Sequence, residues 1–271
     1  MTKPSEIIVP LEHWINDKSQ WGELTDYLRK ESRLPGPQAN LGLSESFAKH
    51  FATSDLTDTA WELLVNWSNP WASEVDTNDP LVFLTFCAIR ASGAYYGYAK
   101  KEMREEIQSH LKSAMNDSRW RVREAAAMGL QSIGEFEFAL LSQLLETWKY
   151  GANLLEQRAF LAALAHPPIL KNKANARYSL NLAAEIMEEL LSSPQQKENP
   201  EHLRVLSKAL EYALSVFVAS EPEEGFNMLR HFAMSRDSRM TRIVKSNLGK
   251  ARLSKKYASQ VADILEVMAM N

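Results

Sequence analysis

Asp117-Ser118-Arg119-Trp120-Arg121-Val122-Arg123-Glu124-Ala125-Ala126-Ala127-Met128-Gly129-Leu130 is the stretch whose reading decides the fold. An acid at a turn can accept from the free backbone N–H groups of the helix it opens. Behind it, Val122, Ala126, Leu130 and Ile133 recur at three- and four-residue steps and mark one apolar helical face. The opening recurs 120 residues later as Asp237-Ser238-Arg239-Met240, and a third copy centres on Glu156-Gln157-Arg158-Ala159. A helix pair cannot bury its own apolar face, so repeated pairs stack on their neighbours and share one core. The expectation is an all-α chain, a right-handed solenoid of antiparallel helix pairs. In such a stack the Arg just inside the second helix is expected to pair with an Asp of the adjacent repeat.

Periodicity carries that reading in both directions. Toward the C-terminus the apolar faces are Leu141, Leu144, Leu145 and Trp148; Leu182, Ile186, Leu190 and Leu191; Leu203, Leu206, Leu210, Leu214 and Phe217; and Val261, Ile264, Leu265 and Met268. Upstream, Ile107, Leu111, Ala114 and Met115 mark another. Short connections with stop signals separate them: Gly134, Gly151, His166-Pro167-Pro168, Asn199-Pro200 and Glu221-Pro222. Residues 1–98 are less regular. Leu11, Trp14 and Ile15, then Trp21, Leu24 and Leu28, then Phe47 and Phe51, then Trp61, Leu64 and Val65, then Leu81 to Ile89 read as helices. Arg33-Leu34-Pro35-Gly36-Pro37 breaks the chain, and Gly93 to Gly97 interrupts the pattern. The division expected is one domain over 1–271, irregular over 1–98 and most clearly repetitive over 99–271, with six or seven helical hairpins.

Composition narrows the class. The 271 residues are 45% hydrophobic and 24% charged, with 10 Gly, 11 Pro and a formal charge of −3, which suits a folded chain with a sizeable core. The longest apolar run, Leu81 to Ile89, is about half of a ~20-residue membrane span, so no membrane association is expected. Met1 to Glu6 has no cationic head before an apolar stretch, and Cys87 stands alone inside an apolar run. Both fit a reducing cytoplasm and an inert thiol.

The segment 117–130 resembles the HEAT-repeat motif: Asp before the second helix, then Val122 and Arg123, then small residues that permit close packing. Further blocks are similar to one group of bacterial HEAT-like proteins: Ser32 to Pro37, Asn40-Leu41, Arg121 to Glu124, Lys208 to Tyr212, Ser215-Val216, Pro222 with Gly225, and Asn247 to Leu253. That group has no assigned activity, so the resemblance implies a fold and no reaction. Trp120-Arg121-Val122-Arg123 is also similar to a helix start in the HEAT-like DNA alkylation repair glycosylases. Those enzymes hold damaged duplex in a basic, aromatic-lined groove and use a carboxylate that follows tryptophans upstream. No Trp-Asp segment occurs between Lys100 and Asn116, and Trp67, Trp71, Glu74 and Asp76 are spaced differently.

Two basic sets are the candidate sites. From Arg236 to Lys256 eight cations face one acid, Asp237, a local charge of +7 that leaves −10 for the rest. Arg239, Arg242 and Lys245 fall three apart and share a helix face. Such a stripe either tracks phosphates, with strong salt dependence, or is a solvated face neutralised by acids from a neighbouring repeat. Arg119, Arg121 and Arg123 either meet an anion together with helix-start N–H groups or serve as structural ion pairs. Trp71 and Trp120 are candidate aromatic platforms, and the other tryptophans read as core. The six histidines make no metal-ligand spacing, Gly249-Lys250 lacks the rest of a phosphate loop, and adjacent carboxylates point about 100° apart. No catalytic set, metal or cofactor is expected. The expected function is non-enzymatic binding of a protein partner through the concave face. The alternatives are a duplex-DNA-binding protein of the alkylation-repair type and a homo-oligomeric structural subunit.

Overall fold

The computed structural model describes residues 10–68, 75–192 and 199–270. It is 78% helix with no strand among those residues. Two compact units divide the chain, residues 1–136 and 137–271.

The first unit contains α1 (Leu11–Asn16), α2 (Trp21–Glu31), α3 (Leu41–Lys49), α4 (Asp58–Ser68), α5 (Val82–Tyr95), α6 (Lys101–Met115) and α7 (Trp120–Phe136), with a 3₁₀ turn at Lys18–Gln20. The apolar run at Leu81 to Ile89 becomes the centre. Twelve of the fourteen residues of α5 are buried, because α2, α3, α4, α6 and α7 all pack on it. A helix apolar on every side has no other stable place. The glycines that interrupt the sequence pattern serve this packing. A Cβ on Gly93 would sit 2.2 Å from the Gly129 carbonyl oxygen, so the backbones of α5 and α7 touch there. Cys87 is buried in the same helix, and burial pushes its thiol pKa up, which keeps it an unreactive thiol.

The second unit contains α8 (Phe138–Trp148), α9 (Leu154–Leu164), α10 (Pro167–Leu170), α11 (Lys173–Ser192), α12 (Pro200–Ser220), α13 (Pro222–Ala233), α14 (Ser238–Leu248), α15 (Ala251–Ser254) and α16 (Ala258–Met270). Here α12 is central and contacts α9, α10, α11, α13, α14 and α15. Asn199 caps it, accepting from the N–H groups of Glu201 and His202, and Pro200 occupies the first turn. Leu206, Leu210, Leu214 and Phe217 form its buried face as their spacing requires, while Leu203 is half-buried. Gly225 lets α13 approach: a Cβ there would lie 2.7 Å from the Val218 Cα. The terminal α16 departs from its pattern. It buries Val261 and Ile264, but Leu265 is exposed and Met268 half-buried.

Candidate functional site

The two basic sets have different fates. In the first unit, Asp117 accepts from the Arg119 backbone N–H at 2.7 Å and from its guanidinium at 2.6 and 2.9 Å. Arg119 is therefore buried against the acid two residues before it, in a local clamp at the start of the helix. Arg123 donates to the carbonyls of Asp117 and Ser118 at 2.6 and 2.9 Å, completing the turn.

Arg121 is 3% exposed. It donates to the carbonyls of Gly36 and Thr77 and to Asn78 Oδ1, with the Thr77 contact at 3.0 Å. No carboxylate pairs with it among the described residues, and burial holds its pKa below the ordinary guanidinium value. The loop after α2 is thus pinned by a cation held only by neutral acceptors. Asn40 and Ser32 hold the same loop from its other side: Asn40 N–H donates to the Ser32 carbonyl, and Asn40 Nδ2 to the Glu31 carbonyl, both at 2.9 Å. Trp120 is 43% exposed, and its ring is covered on one face by the Arg121 guanidinium, 4.3 Å from the centroid. Trp71, the other candidate platform, lies outside the described residues. Trp67 and Trp148 are core.

The second set opens onto a groove. Asp237 caps α14, accepting from the N–H groups of Arg239 and Met240 at 2.8 and 3.1 Å, and pairs with the Arg239 guanidinium at 3.0 Å. Burial alone would raise the Asp237 carboxyl. The bonds from Arg239 and the two N–H groups outweigh it and hold the pKa below the ordinary carboxylate value. One and two turns on, Arg242 and Lys245 extend along the same side of α14 and face α12. Between the helices lie two adjoining open cavities of about 390 and 340 Å³, both lined by Arg204 and Arg242. Lys208, Glu211, Lys245 and Ser246 complete the first; Arg239, Ser207, Ser238, Leu203 and Pro200 complete the second.

Five cations therefore line one strip, from two helices. Glu211, whose side chain is 12% exposed, accepts from Lys208 Nζ at 2.9 Å and from Arg242 Nε at 3.0 Å. Arg204 pairs with Glu201, one turn back on its own helix. Lys245 is exposed and makes no ion pair with any described residue. Counting the three paired acids, the strip keeps a surplus of two positive charges. At one end Tyr212 is 52% exposed, with the Arg252 guanidinium 4.9 Å from its ring centroid.

Asn247 fixes α14 against α12 beside the groove. Its side chain is fully buried; Oδ1 accepts from the Ser215 N–H at 2.7 Å, and Nδ2 donates to the carbonyls of Leu210 and Ile243 at 2.8 Å. Ser246 adds a bond from its hydroxyl to the Glu211 carbonyl at 3.2 Å. The middle of α12 is thus bonded to α14 through its backbone, and the residues that do it flank the cations. The blocks at 208–212, 215–216 and 247–253, scattered in sequence, meet at this junction.

Among the described residues no group of His, Cys, Asp and Glu is placed to hold a metal ion, and no helix is long and apolar enough to cross a membrane. No family model, curated protein or solved structure matches the chain. The α12 wall of the groove was missed by sequence reasoning. Its only signal is the four-residue spacing of Arg204 and Lys208, diluted by Glu201 and Glu211 on the same helix.

Proposed function

We propose that the chain is a non-enzymatic helical-repeat binding protein, built from HEAT-like helix pairs, that engages a protein partner through the groove between α12 and α14. The observation that carries this reading is the pair of adjoining cavities lined by five cations from two helices. Stacked helix pairs present elongated surfaces of this kind. In the second unit α9, α12 and α14 pack in succession, and α13 backs the last two, which supports a repeat arrangement.

A duplex-DNA reading draws on the same strip. It loses support in the first unit, where Arg119, Arg121 and Arg123 donate to an acid and to backbone carbonyls instead of facing solvent as a set. A photo-crosslinking residue at Ser238, in the groove, and another at Tyr150, which is 80% exposed, separate the readings in cells. The expected result is protease-sensitive adducts from position 238 only, abolished by Arg242→Glu. Nuclease-sensitive adducts would turn the assignment to DNA. Identical adducts at both positions, or none at 238, would refute the groove.

A further inference from the structure

Resting on the groove as the contact surface, we infer that its ligand is an extended acidic peptide segment, and that Glu211 is the residue that selects it over a phosphodiester chain. The lining residues of α12 run from Pro200 to Glu211, about 16 Å of helix, and those of α14 from Ser238 to Ser246, about 12 Å. An extended peptide advances about 3.3 Å per residue, so four or five residues fill the strip. Alternate side chains of such a peptide point the same way, about 6.6 Å apart. Arg204 and Lys208, one turn apart on α12, are offset by about 6 Å along the axis. Carboxylates at alternate positions therefore meet Arg204 and Lys208 in turn. The intervening side chains face Arg242 and Lys245 on the other wall.

Guanidinium and ammonium groups bind carboxylate and phosphate alike, so the cations do not choose between the two. Glu211 does. Its carboxylate is fixed inside the groove by Lys208 and Arg242, mostly shielded from solvent, at the end of the basic strip where Lys208 and Lys245 stand. A phosphodiester chain that runs the strip as far as Lys245 carries a charge at every unit and must place one against it. Like charges juxtaposed at an interface are costly. A peptide is free to put a neutral residue opposite Glu211 and carboxylates elsewhere along the strip. Ser238 offers an exposed hydroxyl for its backbone, and Pro200 with Leu203 forms an apolar end for an anchoring side chain.

The test uses the full chain and fluorescein-labelled probes in anisotropy titrations at about 50 and 200 mM salt. The probes are the peptide Leu-Ser-Asp-Gly-Glu-Ser-Asp-Gly, its Asn/Gln counterpart, an eight-nucleotide single strand and a short duplex. The acidic peptide is expected to bind and its amide counterpart not to. Lys245→Glu is expected to weaken the peptide at least about tenfold. Lys245 is exposed and unpaired, so this reversal leaves the fold intact, as circular dichroism will register. Glu211→Gln is expected to raise oligonucleotide binding more than peptide binding. Oligonucleotide affinity equal to or above that of the peptide in the unsubstituted protein would overturn the peptide assignment and leave an anion-binding groove. Peptide binding unaffected by Lys245→Glu would overturn the location. Failure of every probe would overturn the groove reading itself.

Discussion

Replacing Asn247 with Ala should cost the second unit about 3–4 kcal/mol. The Ser215 N–H loses its acceptor in a site without water access, which costs about 1–3 kcal/mol for a buried donor. Two further bonds, to the carbonyls of Leu210 and Ile243, disappear at about 1 kcal/mol each, offset in part because carbonyls keep a second lone pair for their own helix. A small cavity adds to the loss. Urea unfolding followed by far-UV circular dichroism measures the total, and a melting shift of roughly 10 °C accompanies it. Hydrogen exchange places it: the Ser215 amide should lose its protection first. Asn247→Asp sharpens the case. It keeps the acceptor for Ser215 but turns a carboxylate oxygen toward two carbonyls, so it should be worse than Ala at neutral pH. Its folded-state pKa is raised above the unfolded value of about 3.9. The extra penalty is therefore absent below pH about 4 and grows as pH rises through the folded value. A loss under about 1 kcal/mol for Asn247→Ala, or an Asp variant no worse than Ala, would refute the account of the α12–α14 junction.

The same contacts set three other outcomes. Gly93→Ala should destabilise the first unit by about 3 kcal/mol or more, because its methyl meets Gly129 backbone; Gly129→Ala should cost less, since its nearest neighbour is a Leu111 methyl at 2.9 Å, and thermal melts rank the two. Arg121→Leu leaves Gly36, Thr77 and Asn78 without their donor, so limited trypsin digestion should cut after exposed Arg33 several-fold faster, with Arg121→Lys between the two. The lowered pKa of Asp237 stabilises the fold above the unfolded carboxyl value of about 4, and that contribution is lost as pH falls through the folded value. Asp237→Asn should thus lower stability by about 1 kcal/mol at pH 7 and flatten the acid limb of a pH–stability curve below pH 4.

Helix positions were legible wherever one face is buried and the other is wet. Ile107, Leu111, Ala114 and Met115 on α6, and Leu141, Leu144 and Leu145 on α8, are buried as their spacing requires. Periodicity has nothing to report for α5, which is buried on all sides and shows only as an apolar run. It overstates α16, where the pattern includes Leu265 but no partner helix among the described residues covers that side chain. Gly93 read as an interruption because a sequence shows the missing side chain and not the backbone that fills its place.

The two Asp-Ser-Arg turns show why the site was only half visible. Asp117 with Arg119 and Asp237 with Arg239 close the same ion-paired clamp, so the shared tripeptide is a helix-start device and says nothing about a ligand. The residues three and six positions after the Arg decide the rest. In the first unit those positions are Val122 and Ala125, both buried, and Arg121 and Arg123 on either side of Val122 turn to carbonyls. In the second they are Arg242 and Lys245, which a core would not accept without partners, and which line the cavities against α12. The stripe on α14 was therefore readable from one helix alone. The opposite wall was not: on α12 Arg204 and Lys208 alternate with Glu201 and Glu211, a local balance that looks like an ordinary solvated face. The seating of Asn247 in the backbone of α12 sets Arg242 of α14 against Glu211 of α12, and so turns two ordinary charge patterns into one groove with an acid at its Lys245 end.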